Sequence, residues 1–253
     1  MELGHLLFTI FSAFFGLAVG SFLNVCIYRI PKGTFFTEKH SYCPKCGQPL
    51  KWYDMVPVFS WILGGKCRNC KEKISARYPI VESLNAVLWT LSAYFIGLNA
   101  NAFIYDALFS ALIVMTFIDI DTKEIPNGIV VFIIILSIPL FFTAKDVVWW
   151  HRLVGAGVIS VPLYVIALVT GGIGGGDIKL YFALGLVLGL YPTLVSAFIA
   201  IVSAGLIGGV LLLTKKVRKG YELPLGPFIA LGAVVTVFAG APIIDGIKNL
   251  FGI

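Results

Sequence analysis

The chain has 253 residues, of which 58% are hydrophobic and only 13% charged, with a formal net charge of +6. A soluble globule carries charge on about a quarter of its residues, so this composition excludes one and points to a lipid environment. Nucleic-acid binding is excluded as the reason for the positive balance, because the basic residues surround a set of cysteines and form no aromatic-interleaved stripe.

In chain order, apolar runs long enough to cross about 30 Å of hydrocarbon fall at 6–28, 79–97, 102–118, 128–143, 153–171, 178–191, 193–213 and 225–241. They predict an all-α polytopic membrane protein of about eight transmembrane helices, the sixth being the shortest. The expected parts are a first transmembrane helix over 1–28, a cytoplasmic loop module over 29–78 and a seven-helix membrane domain over 79–253. Only Glu2 and His5 carry polar charge-bearing groups ahead of the first span, which lacks a basic start and a small-residue cleavage site, so it reads as a retained helix. No internal repeat and no low-complexity linker stands out.

The loop 29–78 holds ten of the nineteen Lys and Arg, and basic residues near spans stay in the cytoplasm. With that loop inside, the connections at 119–128, 172–179 and 214–224 are inside too, adding Lys123, Lys179, Lys215, Lys216, Arg218 and Lys219. Lys145, Arg152 and Lys248 fall outside, as do both termini.

Within the loop, Cys43-Pro-Lys-Cys46 and Cys67-Arg-Asn-Cys70 are two CxxC knuckles at zinc-ribbon spacing. Four thiolates fill every position of a tetrahedral Zn²⁺, which makes the expected site structural. A pair of disulfides is the alternative, and it is disfavoured by the reducing compartment assigned from charge. A loop this poor in aliphatic residues needs such a staple. Cys26, alone in the first span, reads as a small buried apolar residue.

Acidic residues at the edge of spans are costly and therefore informative. The third span ends in Asp119, followed by Asp121 and Glu124, and the sixth is preceded by Gly171-Gly172-Ile173-Gly174-Gly175-Gly176-Asp177. The topology puts both groups on one face. Asp119, nearest the apolar run, is expected to be buried, while Asp121 and Glu124 are expected to be solvated. The glycines free the approach to Asp177, which reads as an N-cap of span six, as half of a carboxylate pair, or as both. A phosphate cradle is disfavoured, since the stretch lacks the P-loop pattern and ends in a carboxylate. Two carboxylates sharing a proton can serve as acid and base for amide hydrolysis. The three histidines, His5, His40 and His151, fit neither a Ser-His-Asp arrangement at the inner face nor an HExxH zinc site. Helix polarity suggests that Asp177, opening a helix, ionises more readily than Asp119, closing one.

Four segments together resemble one family. GSFLNVCIYRIP at 20–31, the paired CxxC module, Asp119 with Ile125-Pro126-Asn127, and Gly174-Gly-Gly-Asp177-Ile-Lys179 are similar, in order and spacing, to the bacterial type IV prepilin peptidases; the segment from Arg77 to Glu82 adds to this. The resemblance implies an inner-membrane GxGD-type aspartic endopeptidase that removes the basic leader of prepilins and pseudopilins after a glycine on the cytoplasmic side. Its catalytic pair would be Asp119 and Asp177. It also implies N-methylation of the new terminus with S-adenosylmethionine, for which Asn24, Arg29, Arg77 and Glu82 are polar candidates. The rival reading is a transporter using Asp119 and Asp177 as cation or proton sites.

Overall fold

The structure is a computed structural model that describes residues 3–38, 40–144, 147–217 and 222–251. Glu2, Lys145, Arg218 and Lys219, used above in the charge pattern, lie outside the described residues. The helices are α1 (Leu3–Arg29), a short α2 (Phe59–Leu63), α3 (Arg77–Phe95), α4 (Ala100–Thr122), α5 (Asn127–Thr143), α6 (Trp149–Thr170), α7 (Gly175–Leu188), α8 (Leu190–Leu213) and α9 (Gly226–Phe251). Each of the eight apolar runs is a helix. Among the described residues five of them, α1, α4, α6, α8 and α9, are long and apolar enough to cross a bilayer on those criteria alone, and α5 is a shorter apolar helix. The protein is thus an all-α polytopic membrane protein.

α7 has 14 residues, about 21 Å of rise, less than the hydrocarbon thickness. It packs against α5, α6, α8 and α9, and Leu180, Ala183, Leu184 and Val187 are almost fully buried. A helix apolar on all sides is stable where other helices enclose it.

The chain divides within α4 into two compact units, Met1–Val114 and Met115–Ile253. In the first, α1 crosses α3 at two glycines one turn apart. A Cβ on Gly16 would lie 2.8 Å from the Cα of Ala86, and one on Gly20 would lie 2.7 Å from the Cα of Glu82. Between helices in lipid, such small residues permit the backbone contact that drives association. Beside the crossing, buried Asn85 donates to the Gly16 carbonyl at 2.7 Å and accepts from the Ser110 hydroxyl at 2.8 Å.

In the second unit, α6 meets α7 in the same way. A Cβ on Gly185 would lie 2.2 Å from the Gly155 carbonyl oxygen. Arg152, counted as an outward charge from sequence, is 1% exposed; its guanidinium donates to the Leu186 carbonyl at 3.2 Å and to the Val187 carbonyl. Those carbonyls end α7, where a cation meets the negative end of the helix. Gly189, at φ 84, then turns the chain directly into α8.

Candidate functional site

Asp119 lies in the last turn of α4 and is buried, whereas Ile120, Asp121, Thr122, Lys123 and Glu124 are exposed. The order of approach to the apolar run predicted this split. Its Oδ2 accepts the backbone N–H of Gly226, the first residue of α9, at 2.8 Å. Sequence reasoning missed Gly226. Its signal was the segment Pro224-Leu225-Gly226-Pro227, which breaks the helical pattern ahead of a span but names no partner.

Asp177 is half-buried in the first turn of α7. It is not the N-cap: Gly174 caps the helix, and Asp177 is already helical, with its N–H bonded to the Gly174 carbonyl at 3.2 Å. The glycines act by leaving space. A Cβ on Gly176 would lie 3.0 Å from the Cβ of Ile125, and one on Gly174 would lie 3.2 Å from the Asp177 Oδ2. The segment leaving Asp119 can therefore lie against the start of α7, and Lys179 ties the two by donating to the Asn127 Oδ1 at 3.1 Å. Tyr181 lies one turn beyond Asp177 on α7. A carboxylate pair in which one member is ionised and the other protonated can activate water and protonate a leaving group.

The second constellation lies wholly in the first unit. The sulfurs of Cys43, Cys46, Cys67 and Cys70 all lie within 4.8 Å of one another. The pairs Cys43–Cys70 and Cys46–Cys67 are 3.8 and 3.9 Å apart. Four sulfurs each about 2.3 Å from one tetrahedral ion would be separated by about 3.8 Å; two pairs already stand at that spacing, and the donor set fits a four-thiolate metal site with shifts of at most about 1 Å. The two knuckles share one backbone pattern. Cys43 donates to the Gln48 carbonyl and Gly47 to that of Cys43; Cys67 donates to Glu72 and Lys71 to Cys67, all between 2.8 and 3.0 Å. Local amides favour thiolate: the Gln48 N–H draws the Cys46 thiol down to about 6, and those of Cys70 and Asn69 lower Cys67. At Cys70 the lowering by the Glu72 amide is outweighed by burial and by hydrogen bonds to the other sulfurs, and the thiol stands at about 11. Packed thiolates repel, and a divalent cation removes the conflict.

Of the polar candidates, Arg29 and Glu82 hold the loop to the helices, and Asn24 ties α1 to the start of α3. Arg29 pairs with Glu38 at 3.5 Å and donates to the carbonyls of Glu38 and, at 2.9 Å, His40. Asn24 donates to the Tyr78 carbonyl at 3.3 Å. Buried Glu82 accepts the Val58 N–H at 2.7 Å, fixing a β-branched residue at φ 60, where such residues are outliers. With these groups engaged in anchoring, no donor set for a nucleoside ligand is assigned.

A family model described as the Bacterial Peptidase A24 N-terminal domain matches residues 14–96, and one described as the Type IV leader peptidase family matches 107–209. The chain is 34% identical over 234 residues to the prepilin leader peptidase/N-methyltransferase of Bacillus subtilis (strain 168), covering 91% of this chain and 94% of the relative. It is 35% identical over 251 residues to the protein of that name from Neisseria gonorrhoeae, covering 87% and 86%. With that of Stutzerimonas stutzeri it shares 31% over 266 residues, covering 93% and 92%. No solved structure matches.

Proposed function

From the premise that the chain belongs to the type IV leader peptidase family and is a multi-pass membrane peptidase with methyltransferase activity, we propose that Asp119 and Asp177 are its catalytic pair. The observation that carries this is the buried Asp119 carboxylate, held by the Gly226 amide at the end of α4, with the segment that follows it packed against the glycine turn that opens α7 at Asp177. One carboxylate takes a proton from the attacking water while the other, protonated, bonds the scissile carbonyl and then supplies the leaving amine. The substrate is the basic leader of type IV prepilins or pseudopilins, cut after a glycine at the cytoplasmic face of the inner membrane. Such a leader is retained inside by its charge, presenting its polar-to-apolar junction at the interface. The same rule places loop 29–78 inside and both termini outside. Anionic lipid headgroups meet the basic residues there, and nucleic acid is no partner. The metal held by Cys43, Cys46, Cys67 and Cys70 is structural Zn²⁺. S-adenosylmethionine supplies the methyl group for the new amine. Transport through the same acids is the weaker alternative, because both stand at helix ends and neither lies mid-helix.

The test is cleavage of a prepilin by the purified protein in detergent, read from the product's N-terminus by mass spectrometry. Asp119→Asn and Asp177→Asn should each lower turnover by ~10³-fold or more, because members of a catalytic pair act as a unit, while both variants remain inserted and folded. Substantial turnover by either folded variant would end the assignment.

A further inference from the structure

We infer that Gly226 is a positioning residue for the peptidase reaction, its backbone N–H keeping Asp119 as the ionised, water-activating member of the pair. The inference rests on the reading of Asp119 and Asp177 as catalytic. It starts from the opening of α9. A helix start leaves amides without intrahelical partners, and at α9 each is accounted for. Pro227 has none, Phe228 and Ile229 both donate to the Leu225 carbonyl at 3.0 Å, and Gly226 donates to the Asp119 Oδ2 at 2.8 Å in a buried setting. That N–H also lies at the positive end of a 26-residue helix, which favours an anion.

Only glycine permits the approach. A Cβ at 226 would lie 2.7 Å from the Asp119 Oδ2 and 2.7 Å from the Met115 Sδ. Among the described residues no donor lies within hydrogen-bonding distance of the Asp177 carboxylate. It has only its place in the first turn of α7, and Asp119 has the opposing place in the last turn of α4. A hydrogen bond to a charged group outweighs such a dipole effect roughly threefold, so the amide reverses the order that helix polarity alone suggests. The ionisable groups around Asp119 are few. Asp177 lies in the first turn of α7, against which the segment following Asp119 packs at Ile125, and Tyr181 follows one turn later. Lys123, just beyond the end of α4, pairs at the surface with Glu222 at 3.4 Å, and Lys179 is bonded to Asn127. α5 has no ionisable side chain, α8 has only Tyr191, and Asp245 and Lys248 lie at the far end of α9.

The experiment replaces the Leu225–Gly226 amide by an ester through cell-free incorporation of glycolic acid, which deletes the N–H and adds no atom, alongside Gly226→Ala. Folding is monitored by helical circular dichroism and by metal content. On the prepilin substrate, kcat/KM of the ester variant should fall about tenfold or more, and the acid limb of its pH profile should move up by about one unit, since the lost donor stabilised the charged form. A folded ester variant with an unchanged acid limb and kcat/KM within about twofold of wild type would overturn the inference, as would one that melts earlier with the same pH profile. An infrared arm needs no activity: the carboxylic-acid band of the ester variant should be lost on raising pH about one unit later than in wild type, and the shift should be absent when the ester variant also carries Asp119→Asn; no shift would overturn the inference. Failure of wild-type protein to cleave any prepilin would instead sink the proposed function, leaving the infrared result to decide the proton's place.

Discussion

A carboxylate at the end of an apolar helix must either reach water or find a donor, since an unpaired buried charge is costly. Asp121 and Glu124 take the first course and Asp119 the second. The sequence order distinguished them because residues nearest the apolar run enter the core first. The donor itself was illegible: Gly226 lies far along the chain, and a glycine between prolines announces a turn with no direction attached. The cysteine knuckles were the more legible constellation, because two CxxC turns each fix their sulfurs locally and only one long-range contact remains to be guessed. Their titration makes a prediction. Cys46 is lowered to about 6, below the ordinary thiol value near 8.5, so its contribution is complete above about 8.5, shrinks as pH falls and is lost below about 6. Cys70, raised to about 11, enters the neutral module protonated and must release its proton to bind metal. Zinc uptake at neutral pH should therefore liberate protons, its affinity should rise with pH, and acidification should weaken binding progressively. A chromophoric chelator and a pH indicator in one titration check all three; uptake without proton release would contradict the scheme.

The knuckles repeat as elements, with one difference. Gly47 takes φ 69, which glycine tolerates, while the equivalent position in the second knuckle is Lys71 at φ 61. A side chain in the left-handed region costs about 1–2 kcal/mol, partly offset by glycine's greater entropy loss on folding. Lys71→Gly should thus stabilise the loaded module by about 0.5–1 kcal/mol, whereas Gly47→Lys should destabilise it. Protection of the loop from protease, measured against denaturant, reads both, and a weaker module in Lys71→Gly would refute the symmetry. Among the membrane helices, apolar length located all eight, but the shortness of α7 shows the limit of that signal: a helix enclosed by four others need not match the bilayer. Helix pairing was also written in the chain, as Gly16 with Gly20 and Gly185 with Gly189, and passed unread because small-residue spacing marks a close contact without naming the partner. Gly185→Leu would drive a side chain into the Gly155 backbone and should abolish stable insertion, an effect visible as aggregation on gel filtration in detergent. A monodisperse variant would show that α6 and α7 do not depend on this contact.

For the whole molecule, charge and packing divide the chain differently. Charge marks the loop 29–78, whereas packing assigns α3 to α1 and splits the chain within α4. The cysteine module, its anchors Arg29 and Glu82, and Asn24 fall in the first unit, and Asp119, Asp177 and Gly226 in the second. The residues proposed for the second unit's site come from α4, α7 and α9 and include none of the four cysteines. Metal binding supplies much of the folding energy of a small cysteine module, so its loss should loosen residues 41–74 and leave the carboxylate pair standing. Removal of the ion by chelator, or Cys43→Ser, should therefore expose the loop to protease and abolish methylation of the new N-terminus, yet retain prepilin cleavage within about tenfold of wild type, a loss of at most ~1.4 kcal/mol in transition-state stabilisation. Mass spectrometry of the product separates the two activities, because cleaved and unmethylated product differs from the methylated one by a methyl group. If cleavage and methylation vanished together in a metal-free protein whose membrane helices remained intact, the peptidase site would depend on the metal module, and the functional division along the two units would be wrong.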